Sequence, residues 1–331
     1  MMLVWLKFIG SSIILVIAAI KLAEYGDVIA VRTKIGGMFI GLILLAGATS
    51  LPELLTTINS ISIGEPDLAA GNMFGSNMVN MLLLGLIDLM SRNTRILRKV
   101  AHRHALSGSI AVFLIGLSTF FIMANIDTRI GWVGIDSLVI IAAYVVGIRI
   151  IQQNGSPAAI IEDETPIEET FPSLKKGIIG FIIASIVLIF IMPVLVNTSQ
   201  EIAIITGLGT GFVGTALLAI ITSLPELVTT ITAIRLGVYD MAIGNLFGSN
   251  MFNILSLALS DFFMTDGRFL DAISHDFVMV GLIGLLMTGL ALIGNLAKLE
   301  RRIFFIEVDA FLLISIYFLG MYFIYMHGLG V

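Results

Sequence analysis

Residues 49–80 read TSLPELLTTINSISIGEPDLAAGNMFGSNMVN, and residues 222–253 read TSLPELVTTITAIRLGVYDMAIGNLFGSNMFN. The two stretches align without a gap at a constant offset of 173, and 21 of the 32 aligned pairs are identical. Chance does not produce such agreement, so the chain contains an internal repeat. Each copy carries a Pro-Glu pair near its start and a Gly-Ser-Asn motif near its end.

The composition around these repeats is that of a membrane protein. Of the 331 residues, 58% are hydrophobic and only 12% are charged, whereas a soluble domain carries about 25% charged residues. This balance excludes a soluble enzyme, a disordered protein and a nucleic-acid binder. The chain has no Cys, which excludes disulfides and Cys-ligated zinc. We therefore expect an all-α integral membrane protein.

Ten long apolar runs predict ten transmembrane helices, each able to cross about 30 Å of hydrocarbon. Five spans separate the two copies of the repeat, an odd number, so the second half enters the membrane from the opposite side. Inverted repeats are typical of secondary transporters, whose substrate site lies near the bilayer midplane between the halves. The predicted spans are 2–30, 35–60, 66–90, 104–124, 129–151, 174–197, 209–234, 240–261, 275–296 and 304–326. The predicted units are a first five-helix repeat at 1–151, a cytoplasmic linker at 152–173 and a second, inverted repeat at 174–331.

The basic residues predict the orientation. Loops after odd-numbered spans hold 14 of the 18 Lys and Arg residues, and such loops are usually cytoplasmic. We therefore expect a multi-pass protein of the cell membrane with both termini on the extracytoplasmic side.

Two acidic residues inside the second and seventh spans indicate the chemistry. Glu53 and Glu226 occupy equivalent positions of the repeat, and no Lys or Arg lies near either in sequence. An ionisable group within a span is costly and marks a candidate functional site. Facing each other across the pseudo-two-fold axis, they would repel unless protonated or bridged by a cation. The alternative is that both are protonated and only form structural hydrogen bonds.

Further oxygen atoms surround each acid in the sequence. Pro52 and Pro225 lack an N–H, so the carbonyls four residues earlier lose their helical partners, and the hydroxyls of Thr49 and Thr222 lie close by in sequence. Mixed, flexible oxygen ligands suit Ca²⁺ and Na⁺ better than Mg²⁺ or a soft transition metal. The alternative is that each Pro merely kinks its helix, which would leave the adjacent acid unexplained.

The Gly-Ser-Asn motifs add neutral oxygens. Ser76 and Asn80 lie four residues apart and share one face of the third span, as Ser249 and Asn253 do in the eighth. These side chains would face the Pro-Glu segments and complete a cage of ligands. Glycines at a spacing of four in the same motifs also permit close helix packing, and we expect both roles.

These paired segments resemble the two α-repeats of the sodium/calcium exchanger family in the calcium/cation antiporter superfamily, and the resemblance covers nearly the whole chain. The short linker is typical of the compact prokaryotic type without a regulatory insert. The resemblance implies supporting polar roles for Ser50 and Ser223 and breaks in helices 2 and 7 at Pro. It implies as ion ligands the side chains of Glu53, Glu226, Thr49, Thr222, Ser76, Ser249, Asn80 and Asn253, with the backbone carbonyls of Ala46 and Ala219.

The sequence departs from the family pattern at some of these positions. Ala48 and Ile221 stand where family members often carry Gly. Asn253 stands where potassium-dependent relatives carry Asp, which argues against K⁺ co-transport. The proton-coupled branch usually shows a GNxxE-type pattern, which this sequence lacks.

The residues and the resemblance together predict an antiporter that exchanges Na⁺ for Ca²⁺ by alternating access at one shared carboxylate site. Its partners would be these ions and membrane lipid, with no cofactor, nucleic acid or obligate protein partner. A Ca²⁺/H⁺ or broader divalent cation/proton antiporter is the alternative, and a cation channel is a more distant one. No HExxH or GxSxG motif is present, so we expect no enzyme.

Overall fold

The computed structural model of the chain describes residues 1–33, 47–90, 101–154, 172–235, 239–297, 302–303 and 306–328. Within these ranges, nine helices are long and apolar enough to cross a membrane. The predicted second span, 35–60, overlaps the gap at 34–46 and is helical on either side of Ser50 from Gly47 onward. The prediction of a multi-pass, nearly all-helical membrane protein is confirmed.

Five helices are described in the first half and eight in the second, where three helices belong to the second span. The helices of the first half are α1 (Met2–Thr33), α2 (Leu51–Ser62), α3 (Pro66–Met90), α4 (Ala101–Ala124) and α5 (Ile135–Asn154). Those of the second half are α6 (Leu174–Thr206), α7 (Thr210–Val213), α8 (Ala219–Thr222), α9 (Leu224–Arg235), α10 (Tyr239–Leu259), α11 (Phe269–Ala272), α12 (Phe277–Ala297) and α13 (Val308–Met326). A π-helical turn, Gly214–Leu218, joins α7 to α8, and a 3-10 turn, Ser260–Phe262, follows α10. Two antiparallel hairpins pair β1 (Arg129–Ile130) with β2 (Val133–Gly134), and β3 (Arg302–Ile303) with β4 (Ile306–Glu307).

The predicted fifth span, 129–151, begins as a hairpin and not as a helix. Arg129 pairs with Gly134 across β1 and β2, and Gly131 in the turn between them has φ 69°. Glycine adopts this left-handed conformation without the steric cost that a Cβ atom brings. The helix therefore starts at Ile135, six residues later than predicted.

The predicted sixth span, 174–197, is too short, because α6 continues to Thr206. Polar residues follow Val196 in the sequence, but several of their side chains bond back to carbonyls one turn earlier. Asn197 donates to the Pro193 carbonyl at 2.6 Å, and Ser199 donates to the Leu195 carbonyl at 2.8 Å. Such internal bonds satisfy polar groups inside a helix. The helix ends at Thr206 and is capped by Gly207, which has the left-handed conformation common at helix C-termini.

The buried apolar side chains form two clusters. The larger cluster unites α3, α4, α10, α12 and α13. In the smaller cluster, α1 and α6 pack against each other with residues that flank α2 and the π-helical turn. Large apolar side chains on the outer faces are exposed, as at Phe190 with 76% exposure, which suits contact with lipid. The pair α1 and α6 thus has a hydrophobic cluster apart from the main bundle.

Close packing brings α3 of the first half against the interrupted span of the second half. A Cβ on Gly71 would lie 2.5 Å from the Gly211 carbonyl oxygen, and one on Gly75 would lie 2.6 Å from the Thr215 carbonyl oxygen. Only glycine allows backbones this near, as in other small-residue contacts between membrane helices. The polar face of α3 is thereby held beside the break between α8 and α9.

Candidate cation site between the two halves

Each half breaks its second span at a serine. Ser50 has φ −93° and ψ 7°, and Ser223 has φ −87° and ψ 2°, both in the sparsely populated bridge region. Pro52 and Pro225 follow as the second residues of α2 and α9. A proline is tolerated there because N–H groups of the first turn have no helical partner. The predicted break near each Pro is confirmed, and it falls two residues earlier, on Ser.

Glu53 and Glu226 are the third residues of these two helices, and each is only 1% exposed. Their carboxylates lie close enough to repel each other. Across the described residues, neither carboxylate forms an ion pair with Lys or Arg. Each acid sits at the positive end of its own helix, which favours a negative charge only modestly. Two buried like charges without a fixed cation favour binding of a mobile one.

The Glu226 carboxylate is surrounded by hydroxyls from both halves. Its Oε1 atom lies 3.3 Å from the Ser50 hydroxyl and 3.3 Å from the Ser249 hydroxyl. The two serine oxygens are 3.1 Å apart. Ser50, predicted only as a supporting residue, therefore contacts the acid directly. Its repeat mate Ser223 is buried, and its hydroxyl has no hydrogen-bond partner within the described structure.

The two threonines cross between the halves. Thr222 lies near Glu53 and interacts with it electrostatically, as Thr49 does with Glu226. Thr222 Oγ1 is also 3.4 Å from Ser76 Oγ and 3.4 Å from the carbonyl oxygen of Ala219. Each acid thus meets a threonine of the opposite repeat, as a pseudo-two-fold axis requires.

The two predicted backbone ligands are the carbonyls of Ala46 and Ala219. The Ala219 carbonyl accepts a hydrogen bond from the backbone N–H of Ser223 at 3.1 Å. Ala46 lies outside the described residues.

Asn80 and Asn253 complete the set through bonds that join the halves. Asn80 Nδ2 donates to Asn250 Oδ1 at 2.9 Å, and Asn253 Nδ2 donates to Asn77 Oδ1 at 3.0 Å. The amide nitrogens are therefore engaged. The Oδ1 atoms of Asn80 and Asn253 are buried and have no hydrogen-bond partner among the described residues. The same is true of the Oε2 atoms of Glu53 and Glu226.

Three asparagines of the site were not predicted. Asn72 accepts a hydrogen bond from Thr222 at 3.0 Å, while Asn77 and Asn250 accept from the predicted asparagines. A signal for all three was present, because each is identical in both copies of the repeat. These asparagines lie near the predicted i, i+4 pairs in sequence. Helical spacing alone does not show that they form hydrogen bonds with the opposite half.

The assembled groups are hard oxygen atoms: two carboxylates, serine and threonine hydroxyls, and two asparagine carbonyls. Such a set matches the preference of Ca²⁺, which takes six to eight oxygens, and suits Na⁺ as well. The carboxylates give the set a formal charge of about −2 when ionised. All predicted side chains of the site are buried between the halves.

Comparisons with known proteins agree with this architecture. The sequence profile of the family described as "Sodium/calcium exchanger protein" matches residues 3–151 and 176–327. An uncharacterized membrane protein of Methanocaldococcus jannaschii is 29% identical over 238 residues, which cover 71% of this chain and 74% of the relative.

Solved structures share the fold. The structure of native YfkE superposes with a TM-score of 0.70 at 15% identity, over 96% of this chain and 92% of that one. The sodium-calcium exchanger NCX_Mj, soaked with 100 mM Na⁺ and 10 mM Sr²⁺, superposes with a TM-score of 0.58 at 22% identity. That match covers 97% of this chain and 98% of NCX_Mj.

Proposed function

This chain belongs to the sodium/calcium exchanger protein family, and from that premise we propose that it is a secondary antiporter that exchanges Na⁺ for Ca²⁺. We place it in the cell membrane with both termini on the extracytoplasmic side. Its units are a first repeat at 1–151, a cytoplasmic linker at 152–173 and an inverted repeat at 174–331. It acts as a transporter and not as an enzyme.

The observation that carries the proposal is a set of four buried oxygens without hydrogen-bond partners in the described structure. They are Oε2 of Glu53 and Glu226 and Oδ1 of Asn80 and Asn253, two from each half. A buried acceptor without a donor costs about 1–3 kcal/mol, more when charged. A bound cation would satisfy all four at once.

We propose that the ligand set is the predicted one. The carboxylates supply the charge, and the neutral groups complete the coordination shell. Besides Glu53 and Glu226, these ligands are the side chains of Thr49, Thr222, Ser76, Ser249, Asn80 and Asn253 and the backbone carbonyls of Ala46 and Ala219. Ser50 and Ser223 support them from the helix breaks, and Ser50 does so through its contact with Glu226.

The charge of the site explains how the two fluxes would be coupled. One Ca²⁺ balances two carboxylates, and so do two Na⁺ ions, so the ions compete for the same groups. If the Na⁺ load carries more charge than Ca²⁺, each cycle moves net charge. Transport would then respond to voltage, at about 2.3 kcal/mol per charge per 100 mV.

Alternating access requires part of the protein to move past the site. The family resemblance implies that spans one and six move across the remaining core. The separate hydrophobic cluster of α1 and α6 supports this assignment, since these helices can shift together without disrupting the larger cluster.

The alternative function keeps the site and changes the coupling ion. Carboxylates that bind Ca²⁺ also bind protons, so a Ca²⁺/H⁺ or broader divalent cation/proton antiporter would use the same residues. A cation channel would use them as a selectivity filter, but burial of the described side chains of the site between the halves favours a carrier.

Reconstitution distinguishes the three functions. The purified full chain is placed in proteoliposomes, and radiolabelled Ca²⁺ uptake is measured with Na⁺, K⁺ and H⁺ gradients imposed separately. An outward Na⁺ gradient is expected to drive uptake. Uptake driven only by a pH gradient would replace Na⁺ by H⁺ in the proposal, and flux that ignores every counter-ion gradient would indicate a channel.

A further inference from the structure

Two further buried asparagines, one in each half, accept hydrogen bonds from the proposed asparagine ligands. Asn250 Oδ1 accepts from Asn80 Nδ2, and Asn77 Oδ1 accepts from Asn253 Nδ2, at 2.9 and 3.0 Å. All four side chains are at most 1% exposed. Each of these bonds joins α3 to α10, and therefore joins the first half to the second.

An asparagine ligand has an orientation problem that a carboxylate lacks. Its two terminal atoms have nearly the same shape, but only the oxygen can bind a cation, while the NH₂ group is a pure donor. Next to two carboxylates, an unanchored amide would turn its NH₂ group towards them and away from any cation-binding geometry. Some neighbour must therefore hold the amide of Asn80.

Asn250 has this capacity because its own orientation is determined by obligatory acceptors. Its Nδ2 atom donates to the backbone carbonyl of Asn77 at 3.4 Å and to Thr288 Oγ1 at 3.5 Å. A backbone carbonyl can only accept. The Thr288 hydroxyl already donates its hydrogen to the Gly284 carbonyl at 2.8 Å, so towards Asn250 it also accepts.

The donor and acceptor roles are fixed along this chain of hydrogen bonds. Because Asn250 presents nitrogen to its anchors, it must present oxygen to Asn80. Asn80 must then present its nitrogen to Asn250 and its oxygen to the other side, where Oδ1 is buried without a partner. Asn77 lacks this anchoring in the described structure, since its Nδ2 atom has no hydrogen-bond partner.

We propose that Asn250 is a positioning residue that holds Asn80 with its carbonyl oxygen towards the transported cation, and that Thr288 anchors Asn250 in turn. The inference rests on the proposed cation site. Thr288 lies on α12 and is not one of the proposed ligands, so α12 would influence ion affinity indirectly, through Asn250.

The test is Ca²⁺ binding to the purified full chain in Na⁺-free detergent, measured by isothermal titration. Asn250→Leu is expected to weaken binding about 10–100-fold, the usual effect of losing a residue that orients a metal ligand. Asn197→Leu, the same substitution at an exposed position of α6, is the matched control and should leave the affinity unchanged.

A double-mutant cycle separates positioning from structural damage. Asp at position 80 has two equivalent oxygens and needs no orientation, and it places a carboxylate oxygen against Asn250 Oδ1. In the Asn80→Asp background, Asn250→Leu should therefore change affinity less than about threefold, or improve it. An equal loss in both backgrounds would show a merely structural role and overturn the proposal.

The remaining outcomes are also decisive. Failure of the wild-type chain to bind Ca²⁺ would overturn the proposed function itself, whereas wild-type binding that Asn250→Leu leaves intact would overturn only the positioning role. If Asn250→Leu does not fold, Thr288→Val and Thr288→Ser replace it. The Val variant removes the anchoring hydroxyl and should bind Ca²⁺ more weakly than the Ser variant, and equal affinities would contradict the inference.

Discussion

Replacing Glu226 by Gln removes one of the two charges of the site while keeping its shape. The Glu226→Gln variant can retain an oxygen at the Oε1 position, which accepts from Ser50 and Ser249 at 3.3 Å each. The fold should therefore persist. The amide nitrogen then occupies the place of Oε2, which has no hydrogen-bond partner in the described structure. A donor thus stands where a cation needs an acceptor.

The size of the effect follows from Coulomb's law. With a ligand distance of about 2.4 Å and an effective dielectric constant of about 20, one unit charge contributes about 7 kcal/mol towards Na⁺ and about 14 kcal/mol towards Ca²⁺. If neighbouring dipoles recover about two-thirds of this, more than about 4 kcal/mol of Ca²⁺ binding free energy is still lost, which is about a thousandfold. Ca²⁺ affinity should fall further than Na⁺ affinity.

The assay is Na⁺-driven Ca²⁺ uptake into proteoliposomes, with Ca²⁺ and Na⁺ affinities measured on the same preparation. Glu201→Gln on the exposed face of α6 is the control, since it makes the same chemical change outside the site. Uptake by Glu226→Gln at the wild-type rate, or an equal loss of affinity for both ions, would refute the charge-balance reasoning.

Two further predictions concern the stability of the fold. Gly75→Ala would place a Cβ 2.6 Å from the Thr215 carbonyl oxygen and should destabilise the protein by about 1–3 kcal/mol, which lowers its melting temperature. The control is Gly10→Ala, whose Cβ would meet no atom within 4 Å and which should not lower the melting temperature. Arg268 donates a hydrogen bond to Asp136 at 2.8 Å, and both side chains are only 1% exposed. Arg268→Met leaves the Asp136 carboxylate buried without this cation, which should lower the free energy of unfolding by about 3–5 kcal/mol. Adding Asp136→Asn should restore part of that stability in a thermal-unfolding assay, and a double variant no more stable than the single one would contradict the ion-pair explanation.

The predicted elements that agree with the structure depend on local patterns. Apolar length places the spans, and the repeated Pro-Glu pairs place the breaks, which the structure locates on Ser50 and Ser223. The predicted start of the fifth span and the predicted end of the sixth were wrong, because hydrogen bonds between nearby residues decided both boundaries. The hairpin before Ile135 resembles an apolar span in composition, and the polar end of α6 remains helical because its side chains bond within the helix.

By itself, the sequence determined the membrane class, the internal repeat and the equivalence of Glu53 and Glu226 within it, because duplication and apolar length are one-dimensional properties. Only the tertiary structure decided which oxygens are left without donors. The bonds of Asn80 to Asn250 and of Asn253 to Asn77 join residues 170 and 176 positions apart. No helical period relates such partners, since they meet only when one half packs, inverted, against the other.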